Sequence, residues 1–314
     1  MAQSNGVPHA AVPREAAFIV AYGVSKNGKT SDAVYSFPQA IFVAAPGALK
    51  PAMHVVGYVP KSVDLATIGD ATALLRELMT VASARRPGTL VVDDFSLLSE
   101  RTVTMLEQKY RGHKNKYAVW DAVRDTLLDF RDTARHAGIH VVLNAHEGAP
   151  TTKNGAFIRG GPKLPGMMMS DLPAACDVVL RAGIDETRMG PWPGVYRCNP
   201  LDQTYVTGDR HGVAYDKCPM NLGEILRAAG YVLPRAPGME WTEAVVVALA
   251  DEMADADAAA SVATLRANVE PLRRKAAQAG AAQPDLQVRW IFRDALDRAA
   301  IRKARSSPLA AFGI

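Results

Sequence analysis

The sequence predicts an α/β fold in which helices cover both faces of a parallel sheet. Five short apolar runs rich in β-branched residues are bounded by Gly, Pro or charged residues, which is typical of buried strands. Longer amphipathic segments, among them residues 70–84 and 117–137, alternate with these runs and are predicted helices. This alternation indicates strand–helix–strand units. The predicted strands are residues 17–22, 40–45, 89–94, 139–146 and 176–183.

Composition along the chain predicts three parts. Residues 1–14 contain several Gly and Pro residues and little to bury, so they are predicted to be a flexible tail. Residues 15–236 hold the alternating pattern, and short antiparallel strands are expected to join the sheet within residues 190–221. Residues 237–314 are rich in Ala and show no further strand pattern, which predicts a helical C-terminal region.

The bulk composition is that of a globular protein without a membrane segment. Of 314 residues, 48% are hydrophobic and 22% are charged, and the net charge of +4 permits a nucleic-acid partner without requiring one. No apolar run reaches the ~18 residues of a membrane span, and the first residues lack the pattern of a signal peptide. Three cysteines far apart in sequence are typical of reduced thiols. We therefore expect a cytoplasmic protein with no membrane partner.

Residues 23–30, GVSKNGKT, match the pattern GxxxxGK[ST] of a phosphate-binding loop. The two glycines let the backbone turn tightly and let its N–H groups approach a phosphate. Lys29 is expected to reach the β- and γ-phosphates and Thr30 to coordinate Mg²⁺, so ATP and Mg²⁺ are the predicted cofactors. The predicted nucleotide-binding residues are Gly23, Val24, Ser25, Lys26, Asn27, Gly28, Lys29, Thr30 and Ser31.

Acidic and polar residues follow two other predicted strands. Asp93 ends the run TLVVD, at the edge of the sheet where α/β proteins bind ligands, and is predicted to hold Mg²⁺. Asp94 points in another direction and either activates the attacking water or caps the next helix. At the end of the strand 139–146, Asn144 and His146 are candidates for sensing the γ-phosphate, with a capping role as the alternative.

Together these segments resemble the RecA-like P-loop ATPases, and more narrowly the phage-encoded ATP-binding proteins of recombination and single-strand annealing. The resemblance covers about residues 16–232 and rests on GVSKNGKT, TLVVDD and VVLNAHE together with two later segments. These are GGPKLPGMMMSDLPAACDVVLR and VTGDRHGVAYDKCPMNLGEILRAAGY. The resemblance implies a twisted, mostly parallel sheet, ATP at a subunit edge, and a homo-oligomeric ring or filament.

Two departures from this family concern catalysis. Members commonly carry a catalytic glutamate at the tip of the strand after the loop helix, whereas residues 40–45 offer no acid. Either Asp94 or Glu147 replaces it, or hydrolysis is slow or lost. Related ring-forming ATPases insert a Lys-x-Arg pair as a finger into the neighbour's ATP, and only Arg210 of that pair is present here. Arg210 is therefore the candidate finger, with a surface arginine in a hairpin turn as the alternative.

In RecA-like proteins the loops after the third and fourth core strands line the path of DNA. Both corresponding segments here combine cations for phosphates with aromatic rings for stacking on bases, although solvated surface loops are the alternative. The second segment is rich in Gly and is expected to be mobile, without regular structure. The basic segment 289–305 either packs with a solvated face or binds DNA or another subunit. The predicted contacts with single-stranded DNA are Lys109, Arg111, Lys114, Lys116, Lys153, Phe157, Arg159 and Lys163.

These features predict an ATPase that acts as an oligomeric DNA recombination or single-strand-annealing factor, encoded by a phage and working in the cytoplasm of its host. A second hypothesis is another DNA motor of this fold, such as a helicase loader or a packaging ATPase. A third is a structural or assembly protein that binds ATP and hardly hydrolyses it. The missing glutamate favours the third hypothesis, whereas the basic segments and Arg210 favour the first two.

Overall fold

A mixed, mostly parallel sheet flanked by helices forms the centre of the molecule. The computed structural model describes residues 16–50, 52–56, 59–68, 71–80, 88–115, 117–166, 168–187, 193–199, 201–234, 241–281 and 283–306. The strands are β1 (Phe18–Gly23), β2 (Ile41–Ala44), β3 (Ser62–Asp64), β4 (Thr89–Asp93), β5 (His140–Gly148), β6 (Thr151–Lys153), β7 (Ala156–Ile158), β8 (Gly161–Pro162), β9 (Val178–Ile184), β10 (Gly194–Arg197), β11 (Gly208–Asp209) and β12 (Cys218–Pro219). Ten of these described strands form the sheet, in the order β12-β10-β9-β1-β5-β4-β2-β3, with β11 beside β9 and β8 beside β5.

The helices connect the parallel strands and cover the sheet. They are α1 (Lys29–Ser36), α2 (Ala52–Val56), α3 (Ala71–Thr80), α4 (Phe95–Lys109), α5 (Ala118–Ala137), α6 (Met168–Ala175), α7 (Leu222–Ala228), α8 (Thr242–Ala254), α9 (Ala258–Gln278) and α10 (Pro284–Ser306). The five predicted strands form as β1, β2, β4, β5 and β9, with bounds that differ by at most two residues. All five run parallel, which confirms the predicted fold class.

Strand β1 lies in the middle of the sheet, between β5 and β9, and is buried along its whole length. Because side chains alternate along a strand, its residues divide between two apolar cores. Ile19 and Ala21 join the core under α1 and α7, whereas Phe18, Val20 and Tyr22 join the core under α5. This packing on both faces explains why the strand is a continuous apolar run in sequence.

The segment after β5 is ordered, which corrects the prediction of a mobile stretch without regular structure. Strands β6 and β7 form a hairpin, and Asn154 and Gly155 at its turn have φ values of +53° and +78°. Asn-Gly is the pair that favours this two-residue turn. Strand β8 then pairs with the end of β5. The expected antiparallel additions to the sheet also form, since β10 and β11 both pair with β9.

The C-terminal region is helical in its described part and docks on the rest of the chain. Helices α8, α9 and α10 share a small apolar core that includes Leu249 and Ile291. Helix α10 also packs against α7. Its residues Arg293 and Arg298 are each 7% exposed, whereas Arg289 and Lys303 are exposed, so the expected solvated basic face forms only in part. The predicted tail, residues 1–14, and the predicted boundary at residue 237 lie outside the described residues. No helix in the described ranges has the length and hydropathy to cross a membrane.

Candidate active site

The loop between β1 and α1 turns on two glycines that the surrounding packing requires. Gly28 precedes α1 with a φ of +88°, a left-handed conformation that strains other residues. A Cβ at Gly28 would lie 3.2 Å from the Sδ of Met220, and one at Gly23 would lie 2.6 Å from the carbonyl oxygen of Ala182 on β9. Strand β9 and Met220 therefore pack tightly against the loop and leave little room for a side chain at either glycine.

Lys29, the first residue of α1, places its ammonium group inside the curve of this loop. Its Nζ donates hydrogen bonds to the carbonyl oxygens of Gly23 at 2.9 Å and of Val24 at 3.0 Å. The residue is 9% exposed, and burial lowers the pKa of its ammonium group. A positive charge is thus fixed where the N–H groups of the loop and the start of α1 favour an anion.

Thr30 on α1 and Asp93 at the end of β4 meet, although β1, which leads into α1, is not a neighbour of β4. Asp93 ends β4, and β5 separates β4 from β1, yet the Oγ1 of Thr30 donates a hydrogen bond of 2.7 Å to the Oδ2 of Asp93. Burial raises the pKa of Asp93, and the bond from Thr30 opposes this shift. A hydroxyl and a carboxylate oxygen side by side suit Mg²⁺, which takes one or two carboxylates and completes its shell with water and phosphate oxygens.

Asn144 is a buried amide whose side-chain atoms lack hydrogen bonds of good geometry within the described residues. It is 1% exposed and lies in register with Asp93 on β4 and with Ala21 on β1. Buried polar groups without partners are rare in native structures, so such a group calls for an explanation. The amide also interacts with the carboxylate of Asp93 and lowers the pKa of that group, and a polar ligand beside Asp93 would give Asn144 a further partner.

These residues line a single pocket of about 440 Å³ at the carboxyl ends of β1, β4 and β5. Ala45, Ala48 and Ala52 at and after the end of β2 form one side of the pocket, so this strand contributes no acid to its lining. The lining residues are Ser25, Lys26, Gly28, Lys29, Thr30, Ser31, Ala45, Ala48, Ala52, Asp93, Asp94, Asn144, Ala145 and His146.

The family model of the AAA domain matches residues 15–212 of this sequence. The chain belongs to this AAA domain family. Among solved structures, the KaiC-like protein PH0186 of the hyperthermophilic archaeon Pyrococcus horikoshii OT3 is similar, with 15% sequence identity and a TM-score of 0.34. That similarity covers 57% of this chain and 76% of the archaeal chain. Among curated proteins, none matches the sequence.

Asp94 of the AAA domain has two partners, one for each carboxylate oxygen. Its Oδ1 accepts a hydrogen bond of 2.7 Å from the backbone N–H of Ser96, which makes it the N-cap of α4. Its Oδ2 lies 2.6 Å from the Nε2 of His146, and the backbone N–H of His146 donates to the Oγ of Ser96 at 2.9 Å. The capping role is thus realised, and the same carboxylate orients the imidazole that faces the pocket.

Glu147 points away from this pocket. Its carboxylate accepts two hydrogen bonds, of 2.9 and 3.1 Å, from Arg181 on β9, and the guanidinium of Arg181 lies 3.5 Å from the centroid of the Tyr205 ring. The pair joins β5 to β9 across the end of β1. It borders a second cavity of about 380 Å³ that Val24 and Asn27 also line. Glu147 thus does not line the pocket with Asp93 and Asp94, although the charges of all three carboxylates raise the pKa of the Lys29 ammonium.

Arg210 lies at the amino ends of the parallel strands, whereas the pocket lies at their carboxyl ends. Strand β11 pairs with Val178 and Val179 at the start of β9, and the backbone N–H of Arg210 donates to the carbonyl oxygen of Asp177. The side chain is exposed, and its Nη2 donates to the carbonyl oxygen of Ala174 at 2.5 Å. Because the pocket is at the carboxyl ends of the strands, Arg210 is far from the Lys29 of its own chain.

The predicted DNA contacts differ in how far they reach the solvent. The exposed cations are Lys109, Arg111, Lys114, Lys153 and Lys163, and Phe157 on β7 is 59% exposed. Arg159 instead turns inward, where its Nη2 donates to the carbonyl oxygens of Asp202 and Tyr205. Lys116 lies outside the described residues.

Proposed function

We propose that this AAA-domain protein binds MgATP in the pocket beside Lys29 and hydrolyses it. The contact between Thr30 and Asp93 carries the proposal, since it joins the phosphate-binding loop to a carboxylate that suits Mg²⁺. The left-handed Gly28, the buried ammonium of Lys29 and the amide of Asn144 fit the same ligand. Bound MgATP would supply the phosphoanhydride bond that is broken.

The side chains around the pocket divide the chemistry among them. The N–H groups of the loop and Lys29 would hold the β- and γ-phosphates, and Thr30 with Asp93 would hold Mg²⁺. Asn144 can donate to an oxygen of the γ-phosphate. Asp94 accepts from the Nε2 of His146 when the imidazole is neutral, which leaves its Nδ1 as the proton acceptor for an attacking water.

We further propose that ATP use serves the handling of single-stranded DNA by a homo-oligomer, in recombination or annealing. The support is the position of the basic and aromatic side chains. Helix α5 ends beside the start of β5. Its first turn therefore lies about 30 Å from the start of β5, on the side of the sheet where the strands end at the pocket. Trp120 in that turn packs on Gly166, beyond β8. The cations before α5 and the β6–β7 hairpin thus face the same side as the pocket.

Turnover of ATP with and without single-stranded DNA tests this function. We expect hydrolysis by the wild type that DNA accelerates, and none above background for Lys29→Met. Replacing Lys109, Arg111 and Lys114 by Gln should lower the slope of log affinity against log salt by about 0.7 for each phosphate that is no longer neutralised. A wild type that neither binds DNA nor responds to it in turnover would refute the DNA-handling role. Stimulation by duplex DNA alone would favour another DNA motor.

The alanines in the pocket wall support a second candidate, an assembly protein that binds ATP without appreciable hydrolysis. Ala45 and Ala48 stand where a carboxylate could otherwise activate water. In this case MgATP should promote oligomer formation, measured by light scattering during size-exclusion chromatography. Turnover should stay at the level of Lys29→Met. Hydrolysis well above that level would exclude this candidate.

A further inference from the structure

The C-terminal helix α10 lies directly on α1, the helix that begins with the phosphate-binding Lys29. Tyr35 on α1 donates a hydrogen bond of 2.7 Å to the carboxylate of Asp294 and contacts the carbonyl oxygen of Trp290 at 3.1 Å. The rings of Tyr35 and Trp290 meet edge to face, with centroids 6.1 Å apart. These contacts join residues from opposite ends of the sequence behind the loop.

Arg293 is the central side chain of this contact. Its guanidinium lies 3.9 Å from the centroid of the Tyr35 ring and 3.5 Å from the Oδ1 of Asp32, which is also on α1. Its Nη2 donates to the carbonyl oxygen of Met220 at 2.5 Å. Because Arg293 is 7% exposed, these partners and the carboxylate of Asp297, 3.6 Å from its Nε, surround it in place of water.

Asp32 is the buried carboxylate that requires this cation. It is 2% exposed, accepts a hydrogen bond of 2.6 Å from the hydroxyl of Tyr196, and accepts one of 3.2 Å from the backbone N–H of Leu222. Burial raises the pKa of Asp32, and the charge of Arg293 opposes this shift. Removing one member of a buried ion pair leaves an uncompensated charge, so Asp32 would either take up a proton or draw water in beside α1, and both disturb the packing of that helix.

Met220 extends the contact from α1 to the loop itself. The carbonyl oxygen of Met220 accepts the hydrogen bond from Arg293. The Sδ of Met220 lies beside Gly28, where a Cβ added to Gly28 would be 3.2 Å from the sulfur. Arg293 therefore supports the nucleotide pocket in two places, through Asp32 on α1 and through Met220 behind the left-handed turn. Neither route places Arg293 in the pocket, so it would act by position.

We propose that Arg293 is a positioning residue through which the C-terminal helix α10 holds the phosphate-binding loop in the shape that binds nucleotide. The affinity for MgATP then depends on α10, and by reciprocity bound MgATP tightens α10 on α1. This inference rests on the nucleotide-binding function proposed above and adds to it a role for the C-terminal helices.

The first test uses the wild-type chain and hydrogen exchange of backbone amides, followed by mass spectrometry with and without MgATP. We expect exchange to slow in α1, which reports binding, and also in α10, which the pocket does not touch. Slower exchange in α1 with unchanged exchange in α10 would overturn the inference alone. A wild type that binds no MgATP would overturn the nucleotide function and the inference together.

The second test compares two equally buried arginines of α10. Arg293→Met should weaken the binding of a fluorescent ATP analogue by at least about fivefold, the lower range for coupling between sites. Arg298→Met is the control, because Arg298 is also 7% exposed but pairs with Glu224 and Glu243 instead of α1. Arg293→Lys should recover part of the affinity. Equal affinities of folded Arg293→Met and wild type would refute the proposal, and if Arg293→Met fails to fold, the exchange experiment decides.

Discussion

Replacing Lys29 by methionine should separate nucleotide binding from folding. The side chain is 9% exposed and both of its hydrogen bonds end on carbonyl oxygens of the loop, so its ammonium is positioned before any ligand arrives. A hydrogen bond to a charged group contributes about 1.5–3 kcal/mol. At about 1.4 kcal/mol for each factor of ten, Lys29→Met should weaken ATP binding roughly 10- to 150-fold.

Folding should change little, because two effects oppose each other. The variant loses two hydrogen bonds, but it also removes a buried charge whose pKa burial already lowers. We expect the free energy of unfolding to change by no more than about 1 kcal/mol. Methionine is unbranched like lysine and only one atom shorter, so the packing of α1 should persist.

Titration with a fluorescent ATP analogue in the presence of Mg²⁺ measures the binding, and denaturant unfolding measures the stability. Lys61→Met is the matched control, since it removes the same charge from an exposed position outside the pocket. The reasoning would be refuted by equal Kd values for Lys29→Met and Lys61→Met, provided that both proteins are folded.

Three further predictions concern Asp93, His140 and Arg210. Asp93→Asn keeps an oxygen for Thr30 and should fold, but Mg²⁺ should no longer strengthen ATP binding, and a full Mg²⁺ effect in titrations would contradict the assignment. His140 is buried, which lowers its pKa below the usual 6.5, so acid should destabilise the wild type from about pH 6.5 downward as the unfolded chain takes up the proton. His140→Gln should flatten that part of the curve in urea unfolding, and an unchanged slope would refute the role of His140. Arg210→Ala should bind ATP normally and lose a factor of about 10³–10⁵ in turnover, with partial recovery when it is mixed with Lys29→Met subunits. Mixed oligomers that form and show no recovery would mean that Arg210 does not act on a neighbouring subunit.

The sequence by itself determined the parts of the site that depend on neighbouring residues. A phosphate-binding loop is a local structure, because its glycines, lysine and threonine stand within eight residues and a strand precedes them. The apolar run before Asp93 likewise indicates a buried strand with an acid at its end, and the five core strands could be located in this way. Local patterns also indicated the Ala-rich helices at the C-terminus.

Only the tertiary structure decided which of these local elements meet. The hydroxyl of Thr30 on α1 meets Asp93 on β4 because a single strand, β5, lies between β1 and β4, and no local sequence pattern indicates this strand order. The sequence does not show that Glu147 pairs with Arg181 on β9 and borders a second cavity beside the loop. The basic segment of α10 predicts a solvated face, and the structure exposes Arg289 and Lys303 but buries Arg293 beside Asp32.

The physical reason is the range of the interactions concerned. Backbone geometry and the alternation of side chains act over a few residues, so a sequence pattern expresses them directly. Burial, in contrast, is decided by elements that are far apart in the chain, such as Tyr35 and Asp294, which are 259 residues apart. A charged side chain has the same identity whether it faces water or a buried partner, and packing alone determines which of the two it meets.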